Sequence, residues 1–159
     1  GKGTRMKSRL PKVLHRVCGR EMVALVVDAV EAAELDPTVV VVPAGSLDVR
    51  DALLDRVRYA EQSQPRGSGH ALLEAKSVLA GVENVVVVYA DMPLILPETL
   101  LHMRYVHHDA DAAITILTAV SGRPDGLGRV VRSRDGSVEA IVEERDADLE
   151  TRGITGINF

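Results

Sequence analysis

Apolar residues fall along this chain in two spacings, which predict alternating strands and helices. Three runs are rich in β-branched residues, as is typical of strands: 38–42 (TVVVV), 85–89 (VVVVY) and 112–120 (AAITILTAV). Two of these runs are almost wholly apolar, which indicates strands covered on both faces in a mostly parallel sheet. Apolar positions three and four residues apart predict helices over 22–33, 72–79 and 98–106. This alternation favours an α/β layered fold in a single domain, residues 1–159.

The pattern changes after residue 125. Valines and isoleucines between 130 and 142 surround Asp135-Gly136, a pair typical of tight turns, and this predicts an antiparallel hairpin. The chain opens with Gly1 rather than Met, and its first residues look like the middle of a longer sequence. We therefore expect this chain to be a fragment of a longer protein.

Composition narrows the classes of function. With one Phe, three Tyr and no Trp, the core must be aliphatic. The net charge of -4 argues against a nonspecific nucleic-acid binder, so any anion must be held locally by a few cations and backbone amides. The apolar runs are too short to span a bilayer, so no membrane partner is expected. Cys18 is the single cysteine, which makes a reducing compartment the default and a cytoplasmic location the expectation.

A glycine-bearing basic loop begins the chain as GKGTRM, and Pro11-Lys12 follow it. Glycines let a backbone approach a phosphate closely, and Arg5 and Lys12 supply positive charge for that phosphate. The loop has neither the Lys-Ser or Lys-Thr pair of a P-loop nor the third glycine of a dinucleotide fingerprint. A solvated basic turn is an equal interpretation of this segment alone.

A second loop, QSQPRGSGHA over 62–71, follows a plausible strand and opens the second predicted helix. In open α/β sheets, ligands bind beyond the carboxyl ends of the strands. Amides at a Gly-Ser-Gly helix start can hold a phosphate or a base carbonyl, and Gln62 can pair with an imide such as uracil. An ordinary helix cap by Ser68 is the alternative, and both interpretations can hold at once.

Asp91 follows the run 85–89, where the same positional rule places ligand-binding residues. A carboxylate there can hold Mg²⁺ beside a nucleotide phosphate, and a helix-capping Asp before Pro93 is the alternative.

Two other clusters are weaker candidates. Residues 107–111 (HHDAD) lack the spacing of a tetrahedral metal site, and the charge run 143–146 is typical of a solvated face.

The order and spacing of these segments are more specific than any one of them. The runs GKGTRMKSRLPKVLHRVCGREMV, QSQPRGSGHA, YADMPLI, GLGRVV, IVEERDA and GIN closely resemble those of bacterial N-acetylglucosamine-1-phosphate uridyltransferases. The resemblance spans essentially the whole chain in the family's order. These enzymes are sugar nucleotidyltransferases, so the resemblance implies a Rossmann-like fold with a mixed, mostly parallel sheet and helices on both faces.

The resemblance also implies a reaction and a set of site residues. The reaction is Mg²⁺-dependent transfer of a uridylyl group from UTP to N-acetylglucosamine 1-phosphate, which gives UDP-N-acetylglucosamine and pyrophosphate. The implied catalytic cations are Arg5 and Lys12, and the implied ligand of Mg²⁺ is Asp91. The implied nucleotide contacts lie in the two glycine-bearing loops, at Gly1, Gly3, Gln62, Gly67 and Ser68. The implied sugar contacts are Tyr89, Gly128, Glu143 and Asn158.

Some positions depart from the family pattern. Pro65 stands where a second Gln is common, Ala90 replaces the Gly that usually precedes the metal-binding Asp, and Gly156 replaces the Glu that usually precedes Ile-Asn. The last change weakens the transfer of a role to Asn158. The resemblance implies that the family's first strand and the C-terminal part of the nucleotidyltransferase domain are missing from residues 1–159. Family members commonly carry a C-terminal acetyltransferase domain, which these residues do not contain, and a parent protein with that domain is expected to form a homotrimer.

Two alternatives stay open. A sugar nucleotidyltransferase for another base or sugar would share the basic loop, Lys12 and Asp91, so only the base-reading and sugar-reading residues separate it. A catalytically inactive nucleotide-binding homologue is the second alternative. The intact set of Arg5, Lys12 and Asp91 counts against it, since drift would tend to lose one of the three.

Overall fold

The computed structural model describes residues 6–158, and the chain divides into two compact units between residues 104 and 105. The first unit contains most of the helices. Its elements are β1 (Arg16–Val17), β2 (Arg20–Glu21), α1 (Met22–Ala32), β3 (Val39–Pro43), α2 (Asp48–Leu53), β4 (Arg58–Gln62) and α3 (Ser68–Ala75). Helix α4 (Pro97–Asp109) crosses the division, with Pro97 in its first turn, where the missing N–H costs nothing.

The core of the first unit is aliphatic, as the composition predicts. Strands β3 and β4 pair in parallel, with Val39 opposite Arg58 and Pro43 opposite Gln62. The buried cluster combines residues of α1, α2 and β3 with one residue from the turn before β1 and one just before β4: Leu14, Val23, Ala24, Val27, Val42, Val49, Leu53 and Val57. The predicted helix over 22–33 is therefore confirmed as α1, which provides Val23, Ala24 and Val27 to this cluster.

A tight hairpin precedes α1. Strands β1 and β2 pair antiparallel around Cys18 and Gly19, which have φ values of 52° and 83°. A two-residue hairpin turn with both φ values positive matches the natural twist of the flanking strands. The hairpin leaves the Cys18 side chain exposed at its tip.

The prediction of a strand over 85–89 is wrong. This segment joins no sheet formed by residues 6–158, and Val85 and Val87 are 45% and 56% exposed. β-Branched residues favour an extended backbone, but a strand also needs a neighbouring strand to accept and donate its hydrogen bonds. The prediction over 112–120 holds only for its end, where Thr118–Val120 forms β5.

The second unit is built on an antiparallel sheet. Its elements after α4 are β5 (Thr118–Val120), β6 (Arg129–Arg132), β7 (Val138–Val142), α5 (Leu149–Arg152) and β8 (Gly156–Asn158), and the strand order is β5-β8-β6-β7. The predicted hairpin is confirmed as β6 and β7. Its turn contains Gly136 at a φ of 87°, a conformation that favours glycine. Helices, a parallel strand pair and this antiparallel sheet together confirm the α/β class.

The β6–β7 turn contains a carboxylate with a perturbed pKa. Hydrogen bonds from the Ser133 hydroxyl and from the Ser137 amide and hydroxyl lower the pKa of Asp135 from 3.8 to about 2. A lowered folded-state pKa means that the unfolded chain binds more protons between pH 4 and pH 2. The stabilisation of the turn is thus complete above pH 4 and disappears as the pH falls to about 2.

We expect the carboxyl carbon of Asp135 to titrate with a midpoint near pH 2 when it is followed by NMR. Replacing both hydroxyls, in a Ser133→Ala/Ser137→Ala variant, removes two of the three donors and should raise that midpoint toward 3.8. Asp148, whose pKa is also lowered but by hydrogen bonds within α5, is the internal reference and should not move. A wild-type midpoint near 4 would contradict the prediction.

Candidate active site

Two of the residues singled out in the sequence meet although they are 79 positions apart. The Lys12 ammonium donates to Oδ2 of Asp91, with Nζ and Oδ2 separated by 2.6 Å. Their side chains are 42% and 35% exposed, so both remain accessible to a ligand. The structure therefore forms a cation–carboxylate pair from the two residues for which the sequence predicted phosphate and metal binding.

The backbone on each side of this pair is fixed by the same core. Lys12 begins a 3-10 turn, Lys12–Leu14, in which Leu14 is buried in the aliphatic cluster and Val13 packs against it. Asp91 lies in a turn closed by a hydrogen bond from the Met92 amide to the Tyr89 carbonyl, 3.1 Å long. Ala90, the residue that replaces the usual glycine, packs against that cluster as well.

The alternative of a helix-capping Asp91 is wrong. The next helix, α4, begins at Pro97, six positions later, so the Asp91 carboxylate caps no helix. Its partner is Lys12, and Tyr89 next to it is 44% exposed. The Asp91 carboxylate is consequently held at the surface by a cation rather than by a helix end.

The Asp91 carboxylate fits the coordination that Mg²⁺ uses beside nucleotides. Mg²⁺ in such sites is bound by one or two carboxylates together with substrate phosphates and water. Within residues 6–158, no three His, Cys, Asp or Glu side chains cluster closely enough to hold a metal by themselves, so phosphate and water would complete the shell. In the weaker candidate segment 107–111, the His107 ring nitrogen Nδ1 lies 3.0 Å from the Thr115 hydroxyl.

The second glycine-bearing loop also forms a connected site. Gln62 is the last residue of β4, at the carboxyl end of the parallel pair, as the positional rule predicts. Its amide nitrogen Nε2 lies 3.3 Å from the Gly67 carbonyl oxygen and 3.0 Å from Nδ1 of His70. The end of β4 and the start of α3 are thereby joined through the side chain that the sequence proposed as a base reader.

The interpretation of Ser68 as the helix cap is wrong. Gly67 is the cap residue, with a φ of 96° that favours glycine, and Ser68 is the first residue within α3. The first amide to bond back into the helix is that of Ala71, which donates to the Gly67 carbonyl. The amides of residues 68–70 therefore have no intrahelical acceptor and can serve a ligand, as helix N-termini do for anions and carbonyl groups.

In the second unit, the three remaining sugar-site candidates lie at one end of the sheet. Val142 on β7 pairs with Arg129 on β6, so Gly128 and Glu143 are the next residues beyond this pair, and the Asn158 amide donates to the Gly128 carbonyl at 3.4 Å. A Cβ atom at Gly128 would overlap the Asn158 side chain, so any larger residue there would require that side chain to move. Asn158 Oδ1 is buried and accepts no hydrogen bond from residues 6–158, whereas Glu143 is exposed.

An ion pair that the sequence analysis missed supports this end of the sheet. Arg129 is 1% exposed, its guanidinium lies 2.7 Å from Oε2 of Glu144, and it also donates to the Leu127 carbonyl. The same Glu144 oxygen accepts from the Gly126 amide at 3.3 Å. The hydrogen bond from Arg129 holds the pKa of Glu144 below its ordinary value. The charge run 143–146 is therefore more than a solvated face, because the partly exposed Glu144 pairs with the buried Arg129.

Three predicted site residues, Gly1, Gly3 and Arg5, lie outside the residues that the structure describes. The others form two local groups. Lys12, Asp91, Tyr89 and the Gln62 to Ser68 segment belong to the first unit, and Gly128, Glu143 and Asn158 belong to the second.

A match over most of the chain identifies the family of this protein. The family described as the MobA-like NTP transferase domain matches residues 1–150. This chain belongs to the MobA-like NTP transferase family. The resemblance inferred from the sequence motifs is confirmed, and so is a nucleotidyltransferase assignment of the domain.

Curated relatives carry the name bifunctional protein GlmU. The proteins of Limosilactobacillus fermentum and Halalkalibacterium halodurans are each 46% identical to this NTP transferase domain over 159 residues, which is 99% of this chain and 35% of theirs. The GlmU of Clostridium novyi is 42% identical with the same coverage. The chain thus spans about a third of the length of these relatives.

Solved structures support the fold. An apo UDP-glucose pyrophosphorylase superposes with a TM-score of 0.75 at 16% identity, covering 100% of this chain and 71% of that one. A UDP-glucose pyrophosphorylase in complex with UDP-glucose gives a TM-score of 0.70 at 17% identity. At these identities the likeness concerns the fold alone, and it confirms the nucleotidyltransferase fold. Within residues 6–158, no helix has the length and apolar character to cross a membrane.

Proposed function

We propose that this domain transfers a uridylyl group from UTP to N-acetylglucosamine 1-phosphate in the cytoplasm, forming UDP-N-acetylglucosamine and pyrophosphate. The observation that carries the proposal is the contact between Lys12 and Asp91. The sequence resemblance implies phosphate binding for the first and Mg²⁺ binding for the second, and the two side chains lie 2.6 Å apart in a domain of the NTP transferase family. The 46% identity to bifunctional GlmU proteins supports the choice of this reaction within the family.

The reaction needs no nucleophile from the protein. An oxygen of the sugar phosphate attacks the α-phosphorus of UTP and forms the new P–O bond. The bond between the α-phosphorus and the oxygen bridging to the β-phosphate breaks, and pyrophosphate leaves with that oxygen. Positioning and charge neutralisation supply most of the catalysis in such phosphoryl transfers.

The residues of this chain would provide that positioning and charge. Lys12 would turn its ammonium toward the triphosphate and, with Arg5, neutralise the charge that develops on pyrophosphate. Asp91 would hold Mg²⁺ together with phosphate oxygens and water. When bound, Mg²⁺ supplies further charge neutralisation at the triphosphate. Exposure of 42% and 35% leaves both side chains of the Lys12–Asp91 pair free to make these contacts.

Base and sugar recognition would come from the remaining groups. Gln62 and the amides at the start of α3 offer acceptors and donors that suit the imide edge of uracil. Gly1 and Gly3 would lie against the nucleotide. Gly128, Glu143 and Asn158 would contact N-acetylglucosamine, and Tyr89 is the fourth residue for which the resemblance implies a sugar contact. Asn158 Oδ1, which is buried and accepts no hydrogen bond within residues 6–158, supports a polar ligand at that end of the sheet.

A nucleotide and sugar panel tests the proposal. With the protein expressed from its complete reading frame, pyrophosphate release should be at least about a hundredfold faster from UTP than from CTP or GTP, since a reader built on hydrogen bonds leaves polar groups unsatisfied when the wrong base binds. With UTP, pyrophosphate release should be faster when the acceptor is N-acetylglucosamine 1-phosphate than when it is glucose 1-phosphate or mannose 1-phosphate. Equal rates with GTP would favour the alternative nucleotidyltransferase, and no release from any nucleotide would favour an inactive homologue.

A further inference from the structure

The hydrogen bonds around Gln62 fix which end of its side-chain amide is exposed. The Gly67 carbonyl can only accept, so the atom of Gln62 that lies 3.3 Å from it must be the NH₂ group. The same nitrogen lies 3.0 Å from His70 Nδ1. Because the NH₂ group has two hydrogens, it can donate one to each of these acceptors.

This geometry assigns the tautomer of His70. If Nδ1 accepts from Gln62, the proton of the neutral ring must be on Nε2. That nitrogen faces the Glu74 carboxylate, with 3.5 Å between Nε2 and Oε1, four residues along α3. A carboxylate on that side of the ring favours a proton on Nε2, so Glu74 and Gln62 select the same tautomer.

The opposite end of the amide, Oε1, is then an acceptor available to a ligand, since the Gln62 residue is partly exposed. No residue in the range 6–158 donates a hydrogen bond to Gln62 Oε1, while both hydrogens of its nitrogen are used. If the Gln62 amide flipped, Oε1 would face the Gly67 carbonyl oxygen, and two acceptors would oppose each other. The Gln62 amide therefore keeps this orientation, with Oε1 left for a ligand, only while His70 and Gly67 accept hydrogen bonds from its nitrogen.

We infer that His70 is a positioning residue for base specificity: by accepting from the Gln62 amide, it holds Oε1 outward and so selects a pyrimidine with an N–H at ring position 3. This inference rests on the proposed function, in which Gln62 reads the base. Uracil carries a donor at N3, whereas cytosine carries an acceptor there and is otherwise of nearly the same shape. The preference for UTP over CTP therefore depends on a residue that need not touch the nucleotide.

Two variants of the same shape separate this role from a structural one. His70→Leu removes the acceptor, while His70→Asn places an amide oxygen near the position of Nδ1 and keeps an acceptor. His70 is 27% exposed in its side chain, so both variants should fold. The measurement is kcat and KM for UTP and CTP with the protein expressed from its complete reading frame, at saturating N-acetylglucosamine 1-phosphate.

In His70→Leu, we expect the ratio of kcat/KM for UTP to that for CTP to fall about tenfold, the equivalent of one hydrogen bond. For UTP the loss should appear mainly as a higher KM with little change in kcat, because base contacts are the same in the ground state and the transition state. His70→Asn should restore most of the ratio. An unchanged ratio in His70→Leu, or an equal loss in both variants, would overturn the inference.

The tautomer provides a test that does not depend on turnover. In ¹⁵N spectra of the wild-type protein without nucleotide, Nδ1 of His70 should appear as the unprotonated ring nitrogen and Nε2 as the protonated one. A proton on Nδ1 would overturn the inference whatever the substrate. A wild-type protein with no preference for UTP would instead overturn the proposed function, and the role of Gln62 in base choice with it. A selective wild type with an unaffected His70→Leu variant would overturn the role of His70 alone.

Discussion

Asp91→Asn is expected to lower turnover about a hundred- to a thousandfold while leaving the domain folded. Asparagine has nearly the same shape and can still accept a hydrogen bond from Lys12, so the contact at 2.6 Å can survive. It lacks the negative charge that a hard divalent cation requires, and losing one well-placed electrostatic contact in a transfer site costs about this factor in rate. The effect should appear in kcat rather than in folding.

Folding should be nearly unaffected because the pair is partly exposed. Side chains that are 42% and 35% accessible form an ion pair worth at most about 1 kcal/mol after solvent screening. Thermal unfolding of the wild type and Asp91→Asn should therefore agree within a few degrees. A metal-dependence series sharpens the test, since the variant should need more Mg²⁺ to reach its own maximum rate.

A matched control variant makes the same carboxylate-to-amide change outside the site. Glu31 on α1 is also a half-exposed carboxylate in an ion pair, with 2.7 Å between its Oε2 and the Arg56 guanidinium. Glu31→Gln should leave both the rate and its Mg²⁺ dependence unchanged. Near-normal turnover of Asp91→Asn at saturating Mg²⁺ would remove Asp91 from the catalytic site.

The sequence was informative wherever one segment is enough to define a structure. The spacing of apolar residues indicated α1 and α4, and Pro97 indicated where α4 begins. The pair Asp135-Gly136, which is typical of tight turns, indicated the β6–β7 hairpin. Helix α2 escaped detection because it is six residues long and buries only Val49 and Leu53, which is too short a pattern to recognise. Short helices are stabilised by tertiary packing more than by their own sequence.

The failure over 85–89 has a related cause. A run of four valines and a tyrosine has the local preference of a strand, but pairing depends on which segments lie beside it, and the run itself does not contain that information. The argument that placed Asp91 at the carboxyl end of a strand fails with that strand, so the role predicted for Asp91 now depends on the motif that resembles a family and on its contact with Lys12. Its contact with Lys12, 79 residues away, could not be read from spacing and emerges only when both segments pack on one core.

Arg129 and Glu144 show the limit of interpreting charge from sequence alone. The sequence analysis assigned no role to Arg129 and placed Glu144 in a charge run typical of a solvated face, because charged side chains are seldom buried without partners. Here each is the partner of the other, and Arg129 is 1% exposed. Pairing between two such residues leaves no periodic pattern in the sequence, so only the folded structure reveals it.

Arg129→Ala is expected to be the most destabilising single change in the second unit, at about 3 kcal/mol. It removes a large, fully buried side chain, and truncations of that size cost about 2–5 kcal/mol. It also leaves the Leu127 carbonyl and the Glu144 carboxylate without the guanidinium that both contact. Such losses of a buried partner group fall at the upper end of single-residue effects.

Urea unfolding of the wild type and variant measures this difference, and a residue on the same strand provides the control. Arg132 on β6 is exposed and donates to the Gly136 carbonyl at 2.8 Å, so Arg132→Ala should change stability by less than about 1 kcal/mol. Because Arg129 supports the end of the sheet that contains Gly128 and Asn158, Arg129→Ala should also raise the KM for N-acetylglucosamine 1-phosphate more than that for UTP. Equal stability of the two arginine variants would show that the buried pair contributes no more than a surface contact.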